Sequence, residues 1–200
     1  MKKLTFLFAG LFLMANVASS QGIDDRAVIP VAVTLNSILR LNVVSGGNIE
    51  FNFNTLADYT NGIDNSEAYD TQFNVASSVD WEVVMYSEEE DLVGTDMADG
   101  SSVMPLDNIG YRISHTGSGV TADLYVIPSL SSTAALSNNE VAIIENGGTN
   151  AGDVGQNAFT IHWRCGTAGD GDMNPQSILE QNLSADRYAT NVFLTLKPAP

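Results

Sequence analysis

The stretch FNVASSVDWEVVMY, residues 73–86, alternates apolar and polar residues along most of its length. Its odd positions carry six apolar side chains: Phe73, Val75, Val79, Trp81, Val83 and Met85. A period of two places such side chains on one face of a β-strand. The stretch therefore predicts a long core strand, with a bend at Ser77 and Ser78, where the alternation is interrupted.

The same period continues toward the N-terminus. Residues 31–43 carry apolar side chains at odd positions: Val31, Val33, Leu35, Leu39, Leu41 and Val43. A turn signal, SGGN at 45–48, separates them from Ile49, Phe51 and Phe53. Two alternating runs joined by a short turn predict a β-hairpin of 31–43 with 49–53.

Further strands are predicted over five segments: 109–115, 120–127, 141–144, 158–165 and 188–197. Polar or glycine-rich segments separate them, and no helix of any length is predicted. Roughly eight strands without interleaved helices indicate an all-β protein, an antiparallel Ig-like or pilin-like β-sandwich. We interpret 188–197 as its closing strand, lying between strands 31–43 and 158–165. Pro198 and Pro200 cannot donate ladder hydrogen bonds, so this strand is expected to stop at Lys197.

Residues 1–20, MKKLTFLFAGLFLMANVASS, have the order typical of a secretory signal peptide. Lys2 and Lys3 precede a short apolar stretch, and Ala18-Ser19-Ser20 supplies small residues for cleavage before Gln21. That stretch is too short to span a bilayer, which needs about 20 apolar residues. We therefore expect an exported protein of the cell surface, periplasm or extracellular space, with 21–200 forming a single β-sandwich domain.

The chain is strongly acidic, with 24 acidic against 8 basic residues and a formal charge of −16 at pH 7. Loss of Lys2 and Lys3 with the leader lowers this charge by two, to −18. Such a field repels nucleic acid and anionic lipid and argues against both as partners. Cys165 is the only cysteine, so no intrachain disulfide can form, and we interpret it as a packed structural residue.

Few residues suggest catalysis. His115 and His162 lie within predicted strands, and the spacing of Gly117, Ser118 and Gly119 does not match a nucleophile elbow. A hydrolase would require one of the two histidines to meet carboxylates in a cleft. We predict a non-enzymatic protein without catalytic or cofactor-binding residues, and without a cofactor.

Metal and sugar ligation have weak candidates. Asp170, Asp172 and Asn174 have the one-three-five oxygen spacing of a calcium loop, but Pro175 and Gln181 stand where glycine and glutamate belong. The carboxylates of 88–91, Asp96 and Asp99 permit a similar interpretation. No metal residue is assigned from these patterns. Trp81 and Trp163 could stack on sugars, but their apolar strand neighbours favour a place in the core.

Two segments resemble exported bacterial surface sandwiches. FTIHWR at 159–164, a polar loop and then YATNVFLTLKPAP at 188–200 resemble the end of WxL-type cell-wall-binding domains and of spore-coat-U or pilin-type subunits. Trp81-Glu82-Val83 is similar to a Trp-x-Leu step, and Leu194-Thr195-Leu196 stands in the position of the second one. The resemblance implies a β-sandwich at the cell surface.

Two functions follow as hypotheses. The first is a structural surface or matrix protein that self-associates, in which the first strand completes the sheet of a neighbour. The alternative is a module that binds cell-wall or extracellular polysaccharide, with calcium assisting. The expected partners are accordingly further copies of the chain, other surface proteins or glycans.

Overall fold

The computed structural model describes residues 29–64, 67–96, 102–119 and 121–200. The signal peptide predicted over 1–20 lies outside these ranges. The chain divides into two units, Met1–Leu35 and Asn36–Pro200. In the first unit, residues 29–35 have no regular secondary structure. The second unit contains every element described below.

Within the described ranges the chain forms twelve β-strands and two short α-helices, against about eight strands predicted. The first strands are β1 (Leu39–Ser45), β2 (Asp70–Ser77), β3 (Trp81–Ser87), β4 (Asp91–Gly94), β5 (Val103–Pro105) and β6 (Ile109–His115). The later strands are β7 (Tyr125–Val126), β8 (Ala134–Ala135), β9 (Val141–Asn146), β10 (Ala158–Cys165), β11 (Tyr188–Ala189) and β12 (Val192–Pro198). The helices are α1 (Leu56–Asn61) and α2 (Thr121–Leu124), and 3-10 turns cover Glu67–Tyr69 and Leu106–Asn108.

All strand pairs are antiparallel and form three sheets. Sheet A has the order β1-β2-β10-β6-β8, and sheet B has the order β12-β3-β9-β7. A small third sheet has the order β11-β4-β5, and two of its strands, β4 and β5, belong to the acidic segment 87–105. The predicted all-β sandwich is thereby confirmed.

The stretch 73–86 crosses from one sheet to the other. The predicted bend at Ser77 and Ser78 separates β2, in sheet A, from β3, in sheet B. Five of the six side chains predicted to share one face are buried, on both sides of the bend, with Val75 and Trp81 fully enclosed, and Val79 in the bend is half-buried. Between the sheets, the Trp81 ring meets the Phe159 ring edge to face, with centroids 6.0 Å apart. One alternating stretch therefore supplies both walls of the core.

A buried amide fixes the start of β3. The Trp81 N–H donates to Asn150 Oδ1 (2.9 Å), and Asn150 Nδ2 donates to the Trp81 carbonyl (2.8 Å). The Trp81 indole Nε1 also donates to the Asn150 carbonyl (2.9 Å). Both residues are completely buried. The Asn150 side chain thus takes the place of a neighbouring strand where β3 begins.

The predicted hairpin of 31–43 with 49–53 is wrong. β1 starts only at Leu39 and pairs with β2, because Ile38 exchanges hydrogen bonds with Ser78 and fixes the register there. Residues 49–53 are not in a strand. Their inward alternation is nevertheless real, since Ile49, Phe51 and Phe53 pack against the core as half-buried side chains.

Two other predicted strands differ from the structure. Half of 120–127 is α2, and only Tyr125–Val126 pairs, with β9. The C-terminal strand divides into β11 and β12, and β12 runs one residue beyond Lys197, to Pro198. β12 pairs with β3 alone, so it is an edge strand and not a closing strand between 31–43 and 158–165.

Asn150→Ala removes both side-chain bonds to the Trp81 backbone. A buried donor or acceptor left unpaired costs about 1–3 kcal/mol, so we expect the free energy of unfolding to fall by roughly 2–4 kcal/mol. Urea denaturation followed by tryptophan fluorescence measures this loss. Asn139→Ala, at an exposed site, should change the midpoint little. Equal midpoints for the two variants would contradict a structural role for Asn150.

Candidate functional sites

The N-terminal segment, residues 29–35, exposes a row of apolar side chains. Ile29, Val31, Val33 and Leu35 are 83, 85, 80 and 90 % exposed. Their spacing of two is the alternation noted in the sequence, and in an extended chain it places all four on one side. The segment Ile29–Leu35 carries no charged residue. It has the composition of a strand but no strand partner within the described part of the chain.

Two strands of the sandwich have an unpaired edge near each other. β1 ends sheet A and β12 ends sheet B, and the two strands contact each other along one side of the sandwich. Leu39 and Leu41 of β1 are half-buried, as are Leu194 and Leu196 of β12. All four pack against the core from the rim. An unpaired edge with apolar side chains beside it is a template for a further strand.

The outer face of sheet A joins a carboxylate, an imidazole and a hydroxyl. His162 Nδ1 lies 2.9 Å from Asp70 Oδ1, and His162 Nε2 lies 2.8 Å from Ser114 Oγ. The side chain of Asp70 is 17 % exposed and that of His162 is 39 % exposed. We call these three residues the Ser-His-Asp triad.

Strand register explains this meeting. Asp70 stands directly opposite His162 across the β2–β10 pair. On the other side of β10, His162 faces Arg112, and Ser114 follows two residues later on the same face of β6. Alternation along 158–165 puts His162 on the face opposite Ile161 and Trp163. Nothing in the sequence indicates which residues of other strands are its neighbours.

The loop proposed for calcium is held by ion pairs instead. Asp170 contacts Arg164 and Arg112 and accepts a hydrogen bond from Thr133 Oγ1 (2.9 Å). Burial alone would raise the pKa of Asp170, but the Thr133 bond and the charges of Arg164 and Arg112 lower it below its ordinary value. The remaining calcium candidates do not join Asp170, since Asp172 is exposed and Asn174 Nδ2 donates to Asp107 (3.0 Å).

The other carboxylates do not converge either. Glu88 accepts a hydrogen bond from Asn191, Asp91 is in β4, and Asp99 lies outside the described residues. Across residues 29–64, 67–96, 102–119 and 121–200, no three His, Cys, Asp or Glu side chains are grouped to hold a metal ion.

The aromatic and sulfur candidates belong to the core, as the sequence indicated. Trp81 is fully buried, and the Trp163 indole donates to Thr71 Oγ1 (2.9 Å) from a buried position. Neither ring offers a face to a sugar. Cys165 is buried, and burial raises the pKa of its thiol to about 12. This thiol is therefore protonated and not a nucleophile at neutral pH.

The remaining two candidates are apart from the triad. His115 Nε2 lies 2.8 Å from the Gln156 carbonyl oxygen, and its ring packs against Tyr125 and Phe159. Ser118 is an exposed turn residue near the Gly155 carbonyl oxygen. His162 meets the carboxylate of Asp70 on the outer face of sheet A.

Neither family models nor curated proteins give a match to this chain. Among the helices of the described ranges, none is long and apolar enough to cross a membrane. Any functional conclusion therefore rests on the geometry given above.

Asp170→Asn tests the ion-pair network. Because the folded protein holds the pKa of Asp170 below its ordinary value, this carboxylate stabilises the fold above the unfolded pKa of about 3.9. That contribution disappears as the pH falls through the folded-state pKa. We expect the free energy of unfolding of D170N to be about 1–3 kcal/mol below that of the wild type at neutral pH. On acidification, the free energy of unfolding should fall less for D170N than for the wild type. Urea midpoints at neutral and acid pH measure both effects.

Asp172→Asn, at the exposed neighbour, is the matched control. It removes the same charge from the same loop without touching Arg164 or Arg112. If both variants showed the same pH profile, the effect would come from net charge and not from the network.

Proposed function

We propose that the protein is an exported structural subunit of the cell surface that self-associates by β-augmentation. The N-terminal segment of one copy adds as a strand to the unpaired edge of β12 in the next copy. The observation that carries this proposal is the exposed row Ile29, Val31, Val33 and Leu35. A soluble chain rarely leaves four aligned apolar side chains in water unless another surface covers them.

The energetics favour a sheet edge as the acceptor over a flat apolar patch. Burying four aliphatic side chains contributes on the order of 6–12 kcal/mol. Ordering the backbone of seven residues costs about 7–14 kcal/mol. Apolar burial alone therefore does no more than offset the ordering cost. The ladder hydrogen bonds of an edge strand supply the additional stabilisation that net association requires.

β12 suits this role better than β1. Both strands have seven residues, the length of the segment Ile29–Leu35, but β12 pairs with β3 without a register shift. β1 has an irregularity between Val43 and Ser45, which twists an edge away from pairing. Leu194 and Leu196 lie opposite Met85 and Val83 and leave part of their surface open at the rim. An incoming strand with inward apolar side chains would cover that surface.

Export and a surface location are part of the proposal. The leader-like order of residues 1–20 supports export, and the resemblance to surface sandwiches supports the location. The acidic composition keeps subunits apart except where a specific contact forms, because like charges repel. Assembly is accordingly expected to strengthen with salt, which screens this repulsion.

The alternative, a calcium-assisted polysaccharide-binding module, receives no specific support. Its sugar platforms, Trp81 and Trp163, are buried, and Asp170 is engaged by two arginines. Such a module also gives no reason for an exposed apolar segment at residues 29–35.

Val33→Asp places a charge in the apolar row, and Thr34→Asp places the same charge on the opposite side of the segment. We expect V33D to abolish assembly and T34D to retain most of it, because only the first would carry a charge into the apolar rim. Sedimentation velocity and electron microscopy across a concentration series of the mature chain measure assembly. Monomeric wild-type protein at all concentrations would contradict the proposal.

Cysteine pairing identifies the acceptor edge. In a Cys165→Ser background, chains carrying Thr34→Cys are mixed under oxidising conditions with chains carrying either Thr195→Cys on β12 or Asn42→Cys on β1. We expect disulfide-linked heterodimers with the β12 variant and few with the β1 variant. The reverse preference would move the acceptor edge to β1, and no preference would show that the segment does not dock on an edge.

A further inference from the structure

The Ser-His-Asp triad on the outer face of sheet A is not used by strand addition at the β12 edge. We propose that Ser114 is an activated nucleophile, with His162 as its general base and Asp70 as the residue that positions the imidazole. This activity is additional to the proposed self-association and does not depend on it.

The hydrogen bonds define one chain of proton donors. The Asp70 carboxylate only accepts hydrogen bonds, so the imidazole nitrogen beside it, His162 Nδ1, carries the proton (2.9 Å). His162 Nε2 is then an acceptor, and the Ser114 hydroxyl donates to it (2.8 Å). A base that accepts the nucleophile's proton while a carboxylate orients its far side is the arrangement that activates serine.

The sheet holds the three residues rigidly. They belong to adjacent strands, β2, β10 and β6: the β6–β10 ladder runs on both sides of His162, and the β2–β10 ladder ends at the Asp70–His162 pair. The opposite faces of these strands form the core, where Phe73, Ile161 and Ile113 are almost completely buried. Reactive side chains placed on such a scaffold keep their mutual distances better than side chains on loops.

The step that this geometry supports is acyl transfer to Ser114. Ser114 Oγ attacks the carbonyl carbon of an ester, and its proton moves to His162 Nε2. As the tetrahedral intermediate collapses, the bond to the leaving-group oxygen breaks, and that oxygen takes the proton from His162 Nε2. The products are acyl-Ser114 and the released alcohol, with His162 neutral again. Attack by water through the same base returns the free serine and a carboxylic acid.

The surroundings narrow the substrate to activated carboxylic esters. The triad lies on a sheet face where N–H groups facing a paired strand belong to the ladder and cannot stabilise an oxyanion. Arg112, opposite His162, supplies positive charge, but its guanidinium already binds Thr133 and Asp170. Weak stabilisation of the oxyanion favours esters with a good leaving group, such as aryl esters, over amides.

Acylation by p-nitrophenyl acetate tests the proposal on the mature full-length chain. Release of nitrophenolate gives the rate, and peptide mapping by mass spectrometry locates the acetyl group. We expect acetylation at Ser114 in the wild type, none in Ser114→Ala, and a rate reduced by about 10²-fold in His162→Gln. Ser118→Ala, in the exposed turn that follows β6, should match the wild type.

Asp70→Asn distinguishes positioning from a merely structural role. An amide in place of the carboxylate can donate to Nδ1 and so favour the wrong tautomer. We expect slower acetylation of Ser114 together with a change in the ring-nitrogen NMR shifts of His162, while circular dichroism shows the same fold. Acetylation only at other residues, or acetylation of Ser114 at the wild-type rate in both H162Q and D70N, would overturn the proposal.

Discussion

The contact on which the rest of the structure depends is the one between Asn150 and Trp81. The chain leaves sheet A at Ser77 and starts sheet B four residues later. There, β12 lies on one side of Trp81, but on the other side the pairing with β9 begins only at Val83. The Asn150 side chain satisfies the Trp81 backbone in place of a strand, and the Trp81 indole binds the Asn150 carbonyl in return. Because an unpaired backbone group in the core is costly, this amide permits the crossover to be buried.

The passage of residues 73–86 from sheet A to sheet B determines which residues lie on each surface of the sandwich. With β2 and β3 assigned to opposite sheets, the outward residues of β2 become one polar face and β12 becomes the far edge of the other sheet. The polar face contains the Ser-His-Asp triad and the network around Asp170. The edge provides the proposed acceptor for the N-terminal segment. Both candidate sites therefore follow from the sheet order, although they lie on different surfaces.

Electrostatics separates the two kinds of carboxylate in this acidic chain. Asp70 and Asp170 each have a defined partner, an imidazole and a pair of arginines respectively. Others, such as Asp172 and Glu89, are exposed to solvent. Spacing in the sequence could not distinguish the two groups, because a one-three-five pattern specifies which residues are close along the chain and not which cations lie across the sheet. Residues 170–174 suggested a calcium site because their spacing did not reveal the two arginines that bind Asp170.

The alternation of residues 73–86 and 158–165 was enough to predict these strands, their buried faces and the bend at Ser77-Ser78. The reason is that burial of every second side chain is a local property of an extended chain. The same alternation correctly indicates that the side chains of Ile49, Phe51 and Phe53 face the core. The pairing of β1 with β2, the edge position of β12 and the meeting of Asp70, His162 and Ser114 could be learned only from the folded molecule. Those outcomes depend on sheet order and register, which hydrogen bonds between distant segments fix and a local period does not encode.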